Sequence, residues 1–166
     1  GDTYQGFANS LGQRNWFESS TFNLDWCFYL HADKAAKNLY AGFDWNDNEF
    51  AAKVDWSARQ LKALERDPIS LSPGEYRTYL APRALEELVN LLSVYGAFGI
   101  RAHETKQTPL LKMLVEGTTL SPLVNISEDT AHGVAPNFQS AGFLRPDEVP
   151  LIVEGAYAQT LVSPRS

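Results

Sequence analysis

The spacing of apolar and polar side chains predicts strands in the first part of the chain. Between residues 22 and 30, apolar and polar positions alternate over nine residues. This alternation is typical of a β-strand with one buried face. Residues 39–45 can return as the next strand, and residues 4–9 and 14–20 can form an earlier hairpin. We therefore expect an antiparallel meander of strands.

A change of period predicts a helix after this meander. Asn46 and Asp47 are both good N-cap residues. Beyond them, apolar side chains recur on one helical stripe while charged side chains point away from it. The members of the stripe are Phe50, Val54, Leu61 and Leu64. The pattern predicts a long helix near residues 48–66 that closes the first part of the chain.

The second part of the chain has shorter and more mixed patterns. Residues 75–80 resemble a strand, and Pro82 suits the first turn of a helix. The leucines of that helix follow at helical spacing and end at Gly96. A shorter helix is predicted between Thr108 and Gly117. Further expectations are a strand over 120–126, a loop over 131–142, and a hairpin of 149–153 and 156–162 around Glu154-Gly155.

The amino-acid composition also changes between these two parts of the chain. All four tryptophans lie in the first 56 residues, and all nine prolines lie from Pro68 onward. The stretch 68–74 contains the turn residues that separate elements. We therefore predict an α+β fold with a strand meander and helix at residues 1–67, a linker at 68–74, and a second part with strands and helices at 75–166.

Charge and cysteine content exclude several classes of protein. With 14 Lys and Arg against 20 Asp and Glu, the formal net charge is −6. The chain therefore lacks the basic surface of a protein that coats nucleic-acid phosphates. No apolar run approaches the roughly 18 residues needed to span a bilayer. Cys27, the single cysteine, permits no internal disulfide and fits a reducing compartment. We expect neither a nucleic-acid partner nor a membrane partner.

The three histidines are the first candidates for metal ligands. His103 precedes Glu104, as in the helix of many zinc proteases, but no second histidine follows at the spacing that would share a metal. His31 and His132 also lack a ligand at suitable spacing. The sequence favours a surface His103-Glu104 pair and locally bonded histidines elsewhere. It predicts no metal ligand, catalytic residue or cofactor-binding residue in this chain.

The other candidate residues also favour structural interpretations. Cys27 lies on the more polar side of the predicted strand and has no histidine beside it in sequence. An activated thiol would need such a neighbour, so a structural thiol is expected. Glu86 and Glu87 lie near the start of the helix that begins at Pro82, where carboxylates complement the helix dipole. They need no catalytic role.

Several segments, taken in order, carry a family resemblance that no single motif carries. The longest are Trp-Phe-Glu-Ser-Ser-Thr-Phe-Asn-Leu-Asp-Trp at 16–26, Lys-Asn-Leu-Tyr-Ala-Gly-Phe-Asp-Trp at 37–45 and Pro-Gly-Glu-Tyr-Arg-Thr-Tyr-Leu-Ala-Pro at 73–82. Others follow at 9–12, 84–94, 108–114, 120–122, 135–136, 145–146, 151–155 and 161–163. From about Gly6 to Ser166, the chain resembles the TldD/PmbA family, the "modulator of DNA gyrase" or peptide-maturation protease proteins.

The resemblance implies a place within a larger protein. Family members combine an N-terminal α/β domain with a C-terminal β-rich domain. Residues 1–67 would then be the end of the first domain and residues 75–166 the beginning of the second. The chain starts with Gly1 and has its only methionine at Met113. We therefore expect a fragment of a longer protein.

The resemblance also implies a function. TldD-like subunits carry a His-Glu-x-x-x-His helix and a distant cysteine that bind a catalytic metal. PmbA-like (TldE-like) subunits lack this motif and pair with a TldD-like subunit in a cytoplasmic complex that cleaves unfolded peptides. The metal helix should align with residues 84–94, which contain no histidine. The chain is thus similar to the PmbA-like kind, expected to be inactive alone, with zinc only on a TldD-like partner.

Two other functions stay open at this point. One is a stand-alone binding or interaction protein that shares the fold without protease activity. The other is a metallopeptidase whose ligands lie outside residues 1–166. A neighbouring gene that encodes a His-Glu-x-x-x-His subunit would favour the partner-dependent subunit, whereas an isolated gene would favour the stand-alone protein.

Overall fold

The chain has an α+β fold, which confirms the predicted fold class. A computed structural model describes residues 1–163, in which antiparallel strands form three small sheets accompanied by four helices. One compact unit comprises residues 1–3 and 19–79, and a second comprises residues 4–18 and residue 80 onward. The boundaries expected from the sequence stay a prediction, and residues 164–166 of its second part lie outside the described residues.

The elements follow each other in three strand groups and one helical stretch. They are β1 (Asp2–Ala8), β2 (Arg14–Ser20), β3 (Phe22–His31), β4 (Lys34–Gly42), α1 (Asp47–Ala63), α2 (Pro82–Val94), α3 (Ile100–Glu104), α4 (Leu111–Glu116), β5 (Ile126–Asp129), β6 (Glu148–Val153) and β7 (Ala156–Tyr157). β1 pairs with β2 and β3 pairs with β4, while β6 lies between β5 and β7. No described helix is both long and apolar enough to cross a bilayer.

In the first unit, α1 covers one face of the β3–β4 hairpin. The two strands are antiparallel with Trp26 opposite Asn38, so the even-numbered side chains of both strands share the face that meets α1. The Trp26 ring contacts the ring of Phe50 on α1 edge-on, with 5.6 Å between the centroids. The predicted strand over residues 22–30 and the helix that begins after Asn46 are both confirmed.

Aromatic rings form the centre of this unit. Tyr40 is only 3% exposed. Its ring centroid lies 4.9 Å from those of Phe22 and Trp45 and 6.2 Å from that of Phe50. Tilted and edge-on contacts of this kind add to the free energy gained from burying the rings. The cluster therefore joins β3, β4 and α1 through one residue, Tyr40.

A buried polar group lies beside the aromatic rings and is fully hydrogen-bonded. Ser57 on α1 is 0% exposed. Its Oγ accepts from Trp26 Nε1 and from Asn38 Nδ2, both at 3.2 Å, and donates to the Lys53 carbonyl oxygen at 3.0 Å. Because each bond is directional, this network fixes how α1 lies on the strands.

The second unit has a core of its own around β6 and the turn after α2. Its buried members are Ala97, Phe98, Leu110, Met113, Leu151 and Ile152. Leu151 and Ile152 are consecutive, so β6 is covered on both faces. The β6–β7 turn places Glu154 at φ 48° and Gly155 at φ 78°, a left-handed pair that suits a two-residue hairpin. The hairpin expected at this point is confirmed.

Two predicted strands are displaced or shortened. The return strand expected at 39–45 is β4, Lys34–Gly42. It starts earlier because the chain reverses tightly, with Ala32 at φ 49°. The strand expected at 156–162 is reduced to β7, Ala156–Tyr157, after which Leu161 makes a single bridge to Gly99.

Two other strand predictions are wrong, and one helix was not expected. Residues 75–80 form no strand, because their backbone pairs with no strand of the described chain. The strand expected at 120–126 begins only at Ile126, since Val124 N–H donates to Ser121 O in a turn. α3 comprises five residues whose sequence shows no helical periodicity. Such a short element has too few positions to show a period.

Candidate functional site

The helix α2 presents an apolar surface that is largely exposed. The α2 face comprises Leu85, Leu88, Val89, Leu91 and Tyr95. Its three leucines expose 49%, 47% and 54% of their surface. Among the described residues of the helix, Leu92, which lies within the same stripe, is the one that packs against the core of its unit. An apolar patch of this kind is unusual on an isolated monomer and is typical of a protein contact surface.

The sequence around α2 defines both of its ends. Pro82 occupies the first helical position, where its missing N–H costs nothing. At the other end Gly96 adopts φ 67°, and Ala97 N–H donates to Leu92 O while Gly96 N–H donates to Ser93 O. These bonds are the Schellman arrangement, which reverses the chain direction. Ala97 is thereby directed into the core, and the α2 face stays outside.

The charged side chains of α2 lie on the opposite side of the helix. Arg83 Nη1 approaches Glu86 Oε2 at 2.6 Å, and Arg83 Nη2 approaches Glu87 Oε1 at 3.7 Å. Glu86 and Glu87 therefore form ion pairs with Arg83 on the exposed surface, which is a structural role. Within residues 1–163, no three His, Cys, Asp or Glu side chains are close enough to hold a metal ion.

His103 belongs to a half-buried hydrogen-bond network. Its Nε2 lies 2.6 Å from the Ala97 carbonyl oxygen, and its Nδ1 lies 3.2 Å from Tyr157 Oη and 3.3 Å from Thr160 Oγ1. The tautomer with a proton on Nε2 satisfies this arrangement, because Nε2–H then donates to the carbonyl and Nδ1 accepts from a hydroxyl. Both ring nitrogens are occupied, so neither offers a lone pair to a metal.

The expected surface pair at 103–104 is therefore correct for one residue only. Glu104 is exposed, but the His103 ring contacts Tyr157, with 5.3 Å between the ring centroids. The sequence could not indicate this, because the two residues are 54 positions apart. No local spacing reports a partner on a strand that follows so much later.

His132 is locally hydrogen-bonded, as expected. Its backbone N–H donates to Asp129 Oδ1 at 3.0 Å, and its Nδ1 lies 3.0 Å from Asp129 Oδ2. These hydrogen bonds, the backbone one first, lower the pKa of Asp129. His31 ends β3 and is exposed. Both histidines thus lie at turns.

Cys27 lies on the face of β3 that points away from α1, the more polar side predicted for it. It is half-buried and opposite Lys37 on β4. A hydrogen bond with the Cys27 side chain raises the pKa of Tyr29, two residues further on the same face.

Comparison with known proteins adds no assignment. No protein family, no curated protein sequence and no solved structure gives a significant match to this chain. The resemblance to the TldD/PmbA family therefore stays a prediction. Among the described residues, the α2 face is the strongest candidate for a functional surface, and its chemistry is that of protein association.

Proposed function

We propose that this chain is part of a PmbA-like (TldE-like) subunit that acts by assembly with a metal-bearing TldD-like subunit. In this proposal the pair is a cytoplasmic metalloprotease that degrades or matures unfolded peptides, and zinc resides on the TldD-like partner. The observation that carries the proposal is the exposed α2 face. It occupies the stretch, residues 84–94, at which the family resemblance would place the metal helix of the other kind of subunit.

The chemistry of α2 supports assembly over catalysis. A metallopeptidase needs a metal to lower the pKa of the attacking water. The side chains of the α2 face are aliphatic or aromatic, and none is a Cys, His, Asp or Glu, the residues that normally bind zinc. Burying several half-exposed leucines against a partner, in contrast, provides the apolar area that stabilises obligate subunit contacts.

The test combines activity and association. The full-length protein is incubated with an unfolded peptide, alone and with a TldD-like subunit, in the presence and absence of a chelator. We expect little cleavage by the lone chain and chelator-sensitive cleavage by the pair. Robust chelator-sensitive cleavage by the lone chain would overturn the proposal.

A matched pair of variants tests whether the contact with the partner lies on the α2 face. Leu88→Gln puts an amide into the face and should weaken association roughly fivefold to a hundredfold, since a buried, unpaired amide costs roughly 1–3 kcal/mol. Asn90→Gln lengthens a side chain on the opposite side of the same helix and should leave association unchanged. Equal effects of the two variants in a titration by analytical ultracentrifugation would contradict the assignment.

A further inference from the structure

A basic groove lies at the C-terminal end of α1. Its volume is about 430 Å³, and it is lined by Arg59, Lys62, Ala63, Glu65 and Arg66. Arg59 and Lys62 follow at i and i+3 on α1, and Arg66 lies three residues beyond the last helical residue, Ala63. In a chain of net charge −6, this groove concentrates positive charge.

Cations near a helix C-terminus also complement the helix dipole, so their presence alone indicates no ligand. The ion pairs add a second observation. Within 4.0 Å, none of the three cations is paired with a carboxylate of the described residues, and Glu65 lines the groove without such a pair. The positive charge of Arg59, Lys62 and Arg66 is therefore available to an external anion.

The backbone at this helix end is also prepared for an anion. Free carbonyl groups at a helix C-terminus normally repel negative charge. Here the N–H groups of Leu64, Glu65 and Arg66 donate to carbonyl oxygens of the last turn. Lys34 Nζ also donates to the Arg66 carbonyl oxygen, at 2.9 Å. The partial negative charge that would oppose an anion is largely neutralised.

We propose that this groove binds an acidic peptide segment through Arg59, Lys62 and Arg66. Arg59 and Lys62 lie roughly 4.5 Å apart along the axis of α1, at 1.5 Å per residue, and Arg66 follows in the turn just beyond the helix. Carboxylates at alternate positions of an extended peptide lie roughly 7 Å apart, so two of them can each reach a different cation on its long side chain. A single-stranded nucleic acid fits less well, because no aromatic residue lines the groove for base stacking.

The binding is independent of the metal-bearing subunit, so its test does not rely on the proposed function. A fluorescently labelled peptide of alternating Glu and Gly is titrated with the full-length protein, and fluorescence anisotropy reports binding. A peptide with Gln in place of Glu is the matched probe. We expect binding of the Glu peptide only, with an affinity that falls as salt is raised. Equal binding of both peptides would overturn the proposal.

Charge variants test the site itself. Arg59→Gln and Arg66→Gln should each weaken binding about threefold to fivefold, the range for partly exposed ion pairs. Glu65→Gln removes the only carboxylate lining the groove and should strengthen binding by a similar factor. Lys112→Gln changes the net charge equally on α4 and should have no effect. Unchanged binding in Arg59→Gln and Arg66→Gln would place the peptide elsewhere and refute the assignment.

Two competitors distinguish the ligand classes. Inorganic phosphate and an oligothymidylate are each added to the complex with the Glu peptide. We expect displacement only at phosphate concentrations that screen charge generally, and weak displacement by the oligonucleotide. If either competitor binds more tightly than the peptide, the groove is a phosphate or nucleic-acid site, and the acidic-peptide assignment is wrong.

Discussion

The helices α1 and α2 differ in what covers their apolar sides. α1 is anchored by Asn46, whose Oδ1 accepts from the backbone N–H groups of Asn48 and Glu49, and its apolar stripe meets the β3–β4 strands. α2 begins at Pro82, the preceding Ala81 supplies no side-chain cap, and among the described α2 residues only Leu92 packs against a core. The more apolar helix is thus the more exposed one. Hydrophobic periodicity indicates which side of a helix avoids water, but not what covers it.

The largest effect expected from this difference is at Tyr40, the buried centre of the aromatic cluster over which α1 packs. Tyr40→Ala should lower the free energy of unfolding by about 3–4 kcal/mol, because it removes a buried ring and leaves a cavity. Urea unfolding measures this loss. Tyr40→Phe is the control: it keeps the ring and removes only the oxygen that accepts from Asn46 N–H at 2.9 Å, at a cost of about 1 kcal/mol. A loss below about 1 kcal/mol for Tyr40→Ala would show that the aromatic cluster beneath α1 contributes no more to the free energy of unfolding than the exposed α2 face.

A smaller effect is expected at the start of α1. Asn46→Ala leaves two backbone N–H groups of the first turn without their acceptor and should cost about 1 kcal/mol of stability. Asn46→Asp keeps a side-chain oxygen at the same position and should be close to neutral. Thermal unfolding followed by circular dichroism compares the variants. If Asp and Ala are equally destabilising, the cap contributes nothing and the strands alone hold α1.

The smallest effect is expected on α2. Leu88→Gln should lower the free energy of unfolding by less than about 1 kcal/mol, because nearly half of this side chain is exposed already. The same denaturant titration applies. A loss as large as that of Tyr40→Ala would mean that Leu88 stabilises the fold of its own chain, and the contrast between the two helices would no longer hold.

Sequence-based prediction succeeded where the interactions that determine an element lie within or beside that element. β3 and α1 were predictable because their periods extend over many residues and Asn46 supplies a cap beside the helix. Residues 75–80 show the limit. Their composition suits a strand, yet a strand needs a neighbour that donates and accepts backbone hydrogen bonds, and nothing in a single segment specifies that neighbour.

The candidate sites depend even more on distant residues. The His103 network needs Tyr157 and Thr160, and the carbonyl oxygen of Arg66 at the basic groove accepts from Lys34 on a strand. Charge counting gave only a net charge of −6 and missed the local excess of cations. That excess is visible in the sequence only as Arg59, Lys62 and Arg66 at helical spacing, and its freedom from ion pairs is a property of the folded chain.

The distribution of tryptophan determines which part of this protein intrinsic fluorescence reports on. Trp26, Trp45 and Trp56 all belong to the unit of residues 1–3 and 19–79, and the Trp26 indole bonds to a fully buried serine. Trp16, in the other unit, is already 66% exposed. Solvent exposure shifts indole emission to longer wavelength, so unfolding of the first unit changes the emission spectrum and unfolding of the second leaves it nearly constant. Intrinsic fluorescence therefore follows one unit selectively, while far-ultraviolet circular dichroism records the helices of both.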